Sequence, residues 1–170
     1  SGRSPESLNL QYFKDKNMTK IPSFGPLPVS VPGCVDGWFE MHAKFGILNM
    51  EQILKPAIGY ARDGFPVTEL IGYYLTSTSR RFKDYPNFAD TYMPNGKPLV
   101  KGTVFKNPYL ANTYEKIAKG GKDAFYKGEI AKTIANFIQE QGGFLSEKDL
   151  ANNTSEWVEP ISSNYRGYDV

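Results

Sequence analysis

The 170-residue chain carries one cysteine, Cys34, and one histidine, His42. A single thiol excludes an internal disulfide framework, and a single imidazole excludes any zinc motif that needs two histidines. Long apolar runs are also missing. No stretch approaches the roughly 20 residues that span a bilayer, and the opening Ser1-Gly2-Arg3-Ser4-Pro5 lacks the apolar core of a secretory signal. Charge of one sign is lacking too: 20 Lys and Arg stand against 18 Asp and Glu, and a net charge of +2 gives no general pull towards nucleic acid or an anionic membrane. The Gly-rich dinucleotide fingerprint, the P-loop and the Gly-x-Ser-x-Gly elbow are all absent, which removes the loop chemistry those folds require. An initiator Met is missing as well, and the chain stops on Val170 inside an expected strand, so the sequence reads as a fragment of a larger domain.

With 40% hydrophobic and 14% aromatic residues, the composition is that of a packed core rather than a disordered tail. Prolines at 5, 22, 26, 28 and 32 forbid long helices in the first third, and residues 21–33 are expected to be loop with at most a short strand near Val29–Val31. Val35, Trp38, Phe39, His42 and Phe45 then recur at helical spacing, predicting an amphipathic helix of about 11 residues closed by Gly46. Asn49 with Gln52 makes a capping box ahead of an apolar stripe that ends at Gly64, within which Pro56 is expected to split a short turn from a second helix. Thr68 can cap a further helix carrying Ile71 and Leu75. Residues 85–106 read as loops around a brief extended stretch at Val100–Val104.

Asn107-Pro108 is an N-cap and first helical position for a helix running to Gly120-Gly121, with one short turn after it. Ile130 to Ile138 predicts another helix, and Ser146 with Asp149 a capping box for a short final one. Trp157–Ile161 and Tyr165–Val170 suggest two strands joined near Ser162–Asn164.

Few residues invite a chemical role. His42 lies on an apolar stripe with no second histidine, so a packed core histidine is the preferred reading over a catalytic base. Cys34 stands near a helix start, where a thiolate is stabilised, yet an inert small residue is the preferred reading. Asp36 and Glu40, at i and i+4, read as a solvated face. Two glycosylation sequons, at Asn17 and Asn152, carry no weight. Arg3 is set between Gly2 and Ser4-Pro5, a stiff turn, and its planar fork suits bidentate capture of a carboxylate; on local chemistry alone an ordinary surface arginine is the preferred reading.

A series of short motifs runs the length of the chain: Val31-Pro32-Gly33 with Gly37-Trp38, His42-Ala43-Lys44-Phe45-Gly46, Leu54-Lys55-Pro56-Ala57-Ile58 and Ala61-Arg62-Asp63-Gly64-Phe65-Pro66-Val67. It continues through Asn107-Pro108-Tyr109-Leu110-Ala111, Ile117-Ala118-Lys119-Gly120-Gly121, Phe125-Tyr126-Lys127-Gly128, Gly142-Gly143-Phe144-Leu145 and Asp149-Leu150. In this order and spacing the chain resembles the large-subunit region of γ-glutamyltranspeptidases, also called glutathione hydrolases.

The resemblance implies an α+β, mostly helical fragment of an N-terminal nucleophile hydrolase αββα sandwich with a few short strands. Residues 1–170 would then be a partial large-subunit region, with further parts of the domain on both sides. It implies a precursor that cleaves itself, and a small subunit whose new N-terminal Thr attacks γ-glutamyl amides such as glutathione through an acyl-enzyme. No cofactor, metal, nucleic acid or membrane contact is implied. The nucleophile, the oxyanion donors and the amine-binding acids would belong to the small subunit, leaving this chain inactive alone.

In the family a large-subunit arginine, in an Arg-Glu-x-Ala-Pro type motif, binds the α-carboxylate of the glutamyl group. Gly2-Arg3-Ser4-Pro5 matches the variant of γ-glutamyltranspeptidase-like proteins, which lacks the Glu and one residue of spacing, and makes Arg3 the substrate-binding candidate. Related cephalosporin and glutaryl acylases open a second substrate class, and a non-catalytic helical binding module on the same scaffold is the reading from outside enzymology. Family members occupy several compartments, so no localisation is assigned.

Overall fold

The computed structural model describes residues 2–170; Ser1, which heads the sequence motif around Arg3, lies outside the described residues. In chain order the elements are α1 (Leu10–Asp15), α2 (Cys34–Phe45), α3 (Met50–Asp63), β1 (Phe65–Pro66), α4 (Glu69–Phe82), α5 (Phe88–Tyr92), a 3-10 turn (Pro94–Gly96), β2 (Val104–Phe105), α6 (Pro108–Tyr126), α7 (Glu129–Glu140), α8 (Glu147–Ala151), β3 (Asn164–Tyr165) and β4 (Tyr168–Asp169). They fall into two compact units. One comprises the described residues up to Phe45 together with Tyr126–Val170, and the other Gly46–Phe125.

In the first unit, α2 begins one residue before the expected stripe and ends at Phe45. The proline-rich stretch before it forms no strand, although the Val31 N–H donates to the Arg3 carbonyl at 2.9 Å. α1 had no sequence signal strong enough to mark it. It is short, and Asn9 holds its start by accepting the Tyr12 N–H. α8 opens on the anticipated capping box, with the Ser146 hydroxyl accepting the Asp149 N–H at 3.2 Å and Asp149 accepting the Ser146 N–H at 2.9 Å. The core collects Phe13, Val31, Val35, Tyr126, Ala131, Ala135, Leu145 and Leu150.

The terminal hairpin differs from expectation. β3 and β4 pair antiparallel, Asn164 opposite Asp169 and Tyr165 opposite Tyr168, so the turn is Arg166-Gly167 and Trp157–Ile161 is not a strand. Both turn residues have positive φ, 54° and 87°, the geometry that matches the twist of two-residue hairpins. Pro160 also withholds a ladder donor from the segment that was expected to pair.

In the second unit, α3 runs unbroken through Pro56, contrary to the expected split. Proline removes one backbone donor, but here both Pro56 and Gln52, four residues earlier, are exposed, so the freed Gln52 carbonyl can be hydrated. The capping box at Asn49 and the burial of Leu54 and Ala61 on one face hold the helix across the gap. Gly64 follows as its C-cap, and Thr68 caps α4 by accepting the Ile71 N–H at 3.4 Å.

Residues 85–106 carry more structure than loops: α5, the 3-10 turn and β2, which pairs antiparallel with β1, Phe65 opposite Phe105. Asn107 caps α6 by accepting the Leu110 N–H at 3.0 Å. That helix leaves helical geometry at Gly121, with φ 68° and ψ −166°, and resumes to Tyr126, so the expected stop at Gly120-Gly121 is a kink followed by one more short helical stretch.

Candidate functional site

Arg3 is positioned by its neighbours rather than by a helix. A Cβ built on Gly2 would collide with the Val31 carbonyl oxygen, so only glycine permits this close approach. Pro5 is buried, and the Leu8 N–H donates to its carbonyl at 3.1 Å. On the far side of the turn the Glu6 N–H donates to Asp149 Oδ1 at 2.9 Å, and the Glu6 carboxylate meets Lys148 at 2.8 Å. Loop 2–8 is thus pinned to Val31 at one end and to α8 at the other.

Asp149 has two duties. It closes the capping box of α8 and accepts from Glu6, 143 residues away. Partial burial pushes its carboxyl up, but the Ser146 hydroxyl, the N–H groups of Glu6 and Ser146 and the charge of Lys148 together outweigh that and hold it below the ordinary aspartate range.

These residues wall a polar cleft of about 970 Å³, completed by Asn152, Thr154, Ser155 and Glu156. The Arg3 side chain is 87% exposed, and its Nη2 lies 3.7 Å from Glu156 Oε1, itself on a side chain 73% exposed. This is a loose pair. A neighbouring groove of about 680 Å³ shares Gly2, Val31, Gly33 and Glu156 with the cleft and is bounded by Cys34, Glu40 and Trp157. Trp157 is fastened to the end of α2: Lys44 Nζ stands 4.0 Å from its ring centre, and Phe45 meets it edge-on at 5.8 Å. That contact fixes the residue next to Glu156.

Arg3 therefore lies in the cleft, Cys34 and Glu40 border the adjoining groove, and His42 and Asp36 line neither. His42 is half-buried and Cys34 exposed. Asp36 corrects the reading of a solvated face, being only 1% exposed. The reason is Tyr126, whose buried hydroxyl accepts the Asp36 N–H at 3.0 Å and donates to the Pro32 carbonyl at 2.6 Å, drawing the first turn of α2 inward. Glu156 and the Glu6–Asp149 tie were missed by sequence reasoning. The capping box marked Asp149 locally, but nothing local marks a partner so distant.

The second unit has an apolar depression of about 490 Å³ lined by Tyr60, Phe65, Phe105, Leu110 and Tyr114, with no charged side chain in its lining. Among the described residues there is no cluster of His, Cys, Asp and Glu able to hold a metal, and no helix long and apolar enough to cross a membrane.

The family model described as gamma-glutamyltranspeptidase matches residues 1–170. A glutathione hydrolase-like proenzyme of Bacillus subtilis is 32% identical over 170 residues, covering 100% of this chain and 32% of the relative. The crystal structure of a cephalosporin acylase from Bacillus halodurans superposes with a TM-score of 0.94 at 39% identity, covering 99% of this chain and 33% of that one. The γ-glutamyltranspeptidase of Helicobacter pylori superposes with a TM-score of 0.91 at 28% identity, over 99% of this chain and 50% of that one. The chain spans about a third of the length of the Bacillus relatives. Its mostly helical backbone with short strands is that of part of an N-terminal nucleophile hydrolase, as the α+β reading required. A match along its whole length and relatives this similar place the chain in the γ-glutamyltranspeptidase family, a family of enzymes.

Proposed function

We propose that the chain is the large-subunit portion of a self-processing γ-glutamyl hydrolase or transferase, and that Arg3 binds the α-carboxylate of γ-glutamyl compounds such as glutathione. The observation that carries this reading is the exposed guanidinium of Arg3 in a polar cleft, on a loop pinned at Val31 and at α8. A planar fork held on a fixed backbone can form parallel charge-assisted bonds to a carboxylate while giving up little freedom.

The reaction chemistry belongs to a partner, a small subunit with an N-terminal Thr. Its hydroxyl attacks the γ-carbonyl while its α-amine takes the proton, and the amine leaving group departs with a proton to give the acyl-enzyme. Water then releases glutamate, or an amino acid or peptide amine accepts the glutamyl group. Arg3 orients the acyl donor so that its γ-carbonyl meets the Thr. No step calls for a cofactor.

The test is turnover of a chromogenic γ-glutamyl anilide by the full-length, self-cleaved protein and by residues 1–170 alone. Activity is expected only in the former. Arg3→Ala in the full-length protein is expected to cost about 2 kcal/mol, roughly thirtyfold in kcat/KM, because the carboxylate loses its charged donor. Unchanged turnover in that variant would remove Arg3 from the site. The similarity to the cephalosporin acylase favours, as a second reading, an amidase acting on a glutaryl-type acyl group, which has the carboxylate but no α-amine.

A further inference from the structure

Residues 94–97, in the second unit, form a turn. Asn95 and Gly96 both have positive φ, 58° and 71°, as a type I′ turn requires, and the Lys97 N–H donates to the Pro94 carbonyl across it at 3.3 Å. Of the eleven asparagines, Asn95 alone precedes a glycine. Asn17 and Asn87 share its left-handed backbone and its exposure, but Met18 and Phe88 follow them. The difference is chemical. Asparagine is a labile residue because its carboxamide carbon can close a five-membered ring with the backbone nitrogen of the next residue. A side chain on that residue shields the nitrogen, and glycine leaves it open.

We propose that Asn95-Gly96 is a site of spontaneous covalent modification, gated by opening of the turn. The Gly96 nitrogen attacks Asn95 Cγ; a new N–C bond forms as the C–N bond of the carboxamide breaks, and ammonia departs with the proton that Gly96 gives up. Water then opens the cyclic imide at either carbonyl, leaving an aspartyl or an isoaspartyl link to Gly96. Water is the sole co-reactant, and nothing is oxidised or reduced. This chemistry is independent of the function proposed for the cleft.

The closed turn resists the first step. With ψ of 28° at Asn95, the Gly96 nitrogen points away from Cβ, and its N–H is held by the Met93 carbonyl at 2.9 Å. Little keeps the turn closed, however. Residues 94–97 are exposed, and the preceding α5 is five residues long with none buried and with no side-chain bond from its N-cap, Asn87. Segments with so few buried contacts open locally at far less than the cost of global unfolding. Firm packing resumes at Leu99, 4% exposed. Either product adds a negative charge two residues from Lys97, and the isoaspartyl form also lengthens the backbone by a methylene inside the turn.

The experiment incubates the full-length protein at mildly alkaline pH, where the amide nitrogen loses its proton more readily, beside a peptide of residues 90–100. Both are mapped by mass spectrometry with the aspartyl and isoaspartyl forms separated. Asn95 is expected to gain about one mass unit before any other asparagine of this chain, to yield both forms, and to convert more slowly than in the peptide. Asn95→Gln, whose longer side chain closes a ring far less readily, should lose the product. An unchanged Asn95 in the protein once the peptide has largely converted, or another asparagine converting first, overturns the proposal. Aspartate alone, without the isoaspartyl form, would rule out the ring, and a folded rate equal to that of the peptide would rule out the gate.

Discussion

In the unit that carries the cleft, residues far apart in sequence are tied by single polar side chains: the Tyr126 hydroxyl bridges Pro32 and Asp36, and Asp149 reaches Glu6. In the unit of residues 46–125 the side-chain ties between distant residues, Lys101–Glu69 and Arg62–Glu115, are exposed ion pairs, and backbone-to-backbone bonds join the same elements. The Val67 N–H donates to Thr103 at 2.8 Å, the Asn107 N–H to Ala61 at 2.8 Å, and β1 pairs with β2. Backbone ties are indifferent to side-chain identity and to pH. Side-chain ties are not, and in the first unit one of them is also a wall of the cleft, so substitutions and acid should act on that unit and on its site together.

The sharpest way to break this contrast is Tyr126→Phe. Tyr126 is 3% exposed, and the variant keeps its packing but removes the hydroxyl that accepts from the Asp36 N–H and donates to the Pro32 carbonyl. A loss of about 1–3 kcal/mol is expected, because both hydrogen bonds of a buried residue go with the hydroxyl. Amide exchange in the full-length protein should rise in the first turn of α2 and stay unchanged across α3 and α4. A uniform rise through both units would show that they do not differ in this way.

Asp149 gives the next effect. Its carboxyl lies below the ordinary aspartate range in the folded chain, so its contribution is present above that range and is lost as pH falls through the folded value. Asp149→Asn should therefore destabilise the protein by about 1 kcal/mol at neutral pH, a size that allows for solvent screening at a half-exposed site. The gap from the parent should close as pH drops below the aspartate range. Thermal midpoints of both proteins across pH would show it. A gap constant down to the most acid pH would mean that the charge of Asp149 contributes nothing.

What the sequence revealed follows the same division. Local chemistry was legible: the α2 stripe, the capping boxes at Asn49 and Ser146, the caps at Thr68 and Asn107 and the break at Gly121 all depend on residues within a few positions of one another. Pro56 misled because solvation of one carbonyl and burial on the opposite face, both tertiary facts, let a helix absorb a proline. The hairpin turn was set three to four residues early because Tyr165 to Val170 has strand-like composition throughout, while the turn is decided by positive φ at Arg166 and Gly167. At the site, Arg3 stood out through its motif. Asp36, Glu156 and the Glu6–Asp149 bond did not, since each depends on a partner about 90 or more residues away.

The smallest effect is expected at the exposed side-chain pairs of the second unit, of which Lys101–Glu69 is one and Arg62–Glu115 another. Arg62 and Glu115 meet at 2.8 Å; their hydrogen bond, reinforced by their opposite charges, raises the guanidinium and lowers the carboxyl from their ordinary values. Yet both side chains are substantially exposed, and water and salt screen such a pair while its two long side chains surrender rotamer freedom. The Asn107–Ala61 backbone bond already joins the end of α3 to the start of α6, so the pair fastens elements that are held without it. Arg62→Gln should leave the thermal midpoint of the full-length protein where it was, at low salt and at high. A drop comparable to that of Asp149→Asn would mean that the second unit also depends on side-chain charge, and the contrast between the units would then reduce to the Tyr126 hydroxyl.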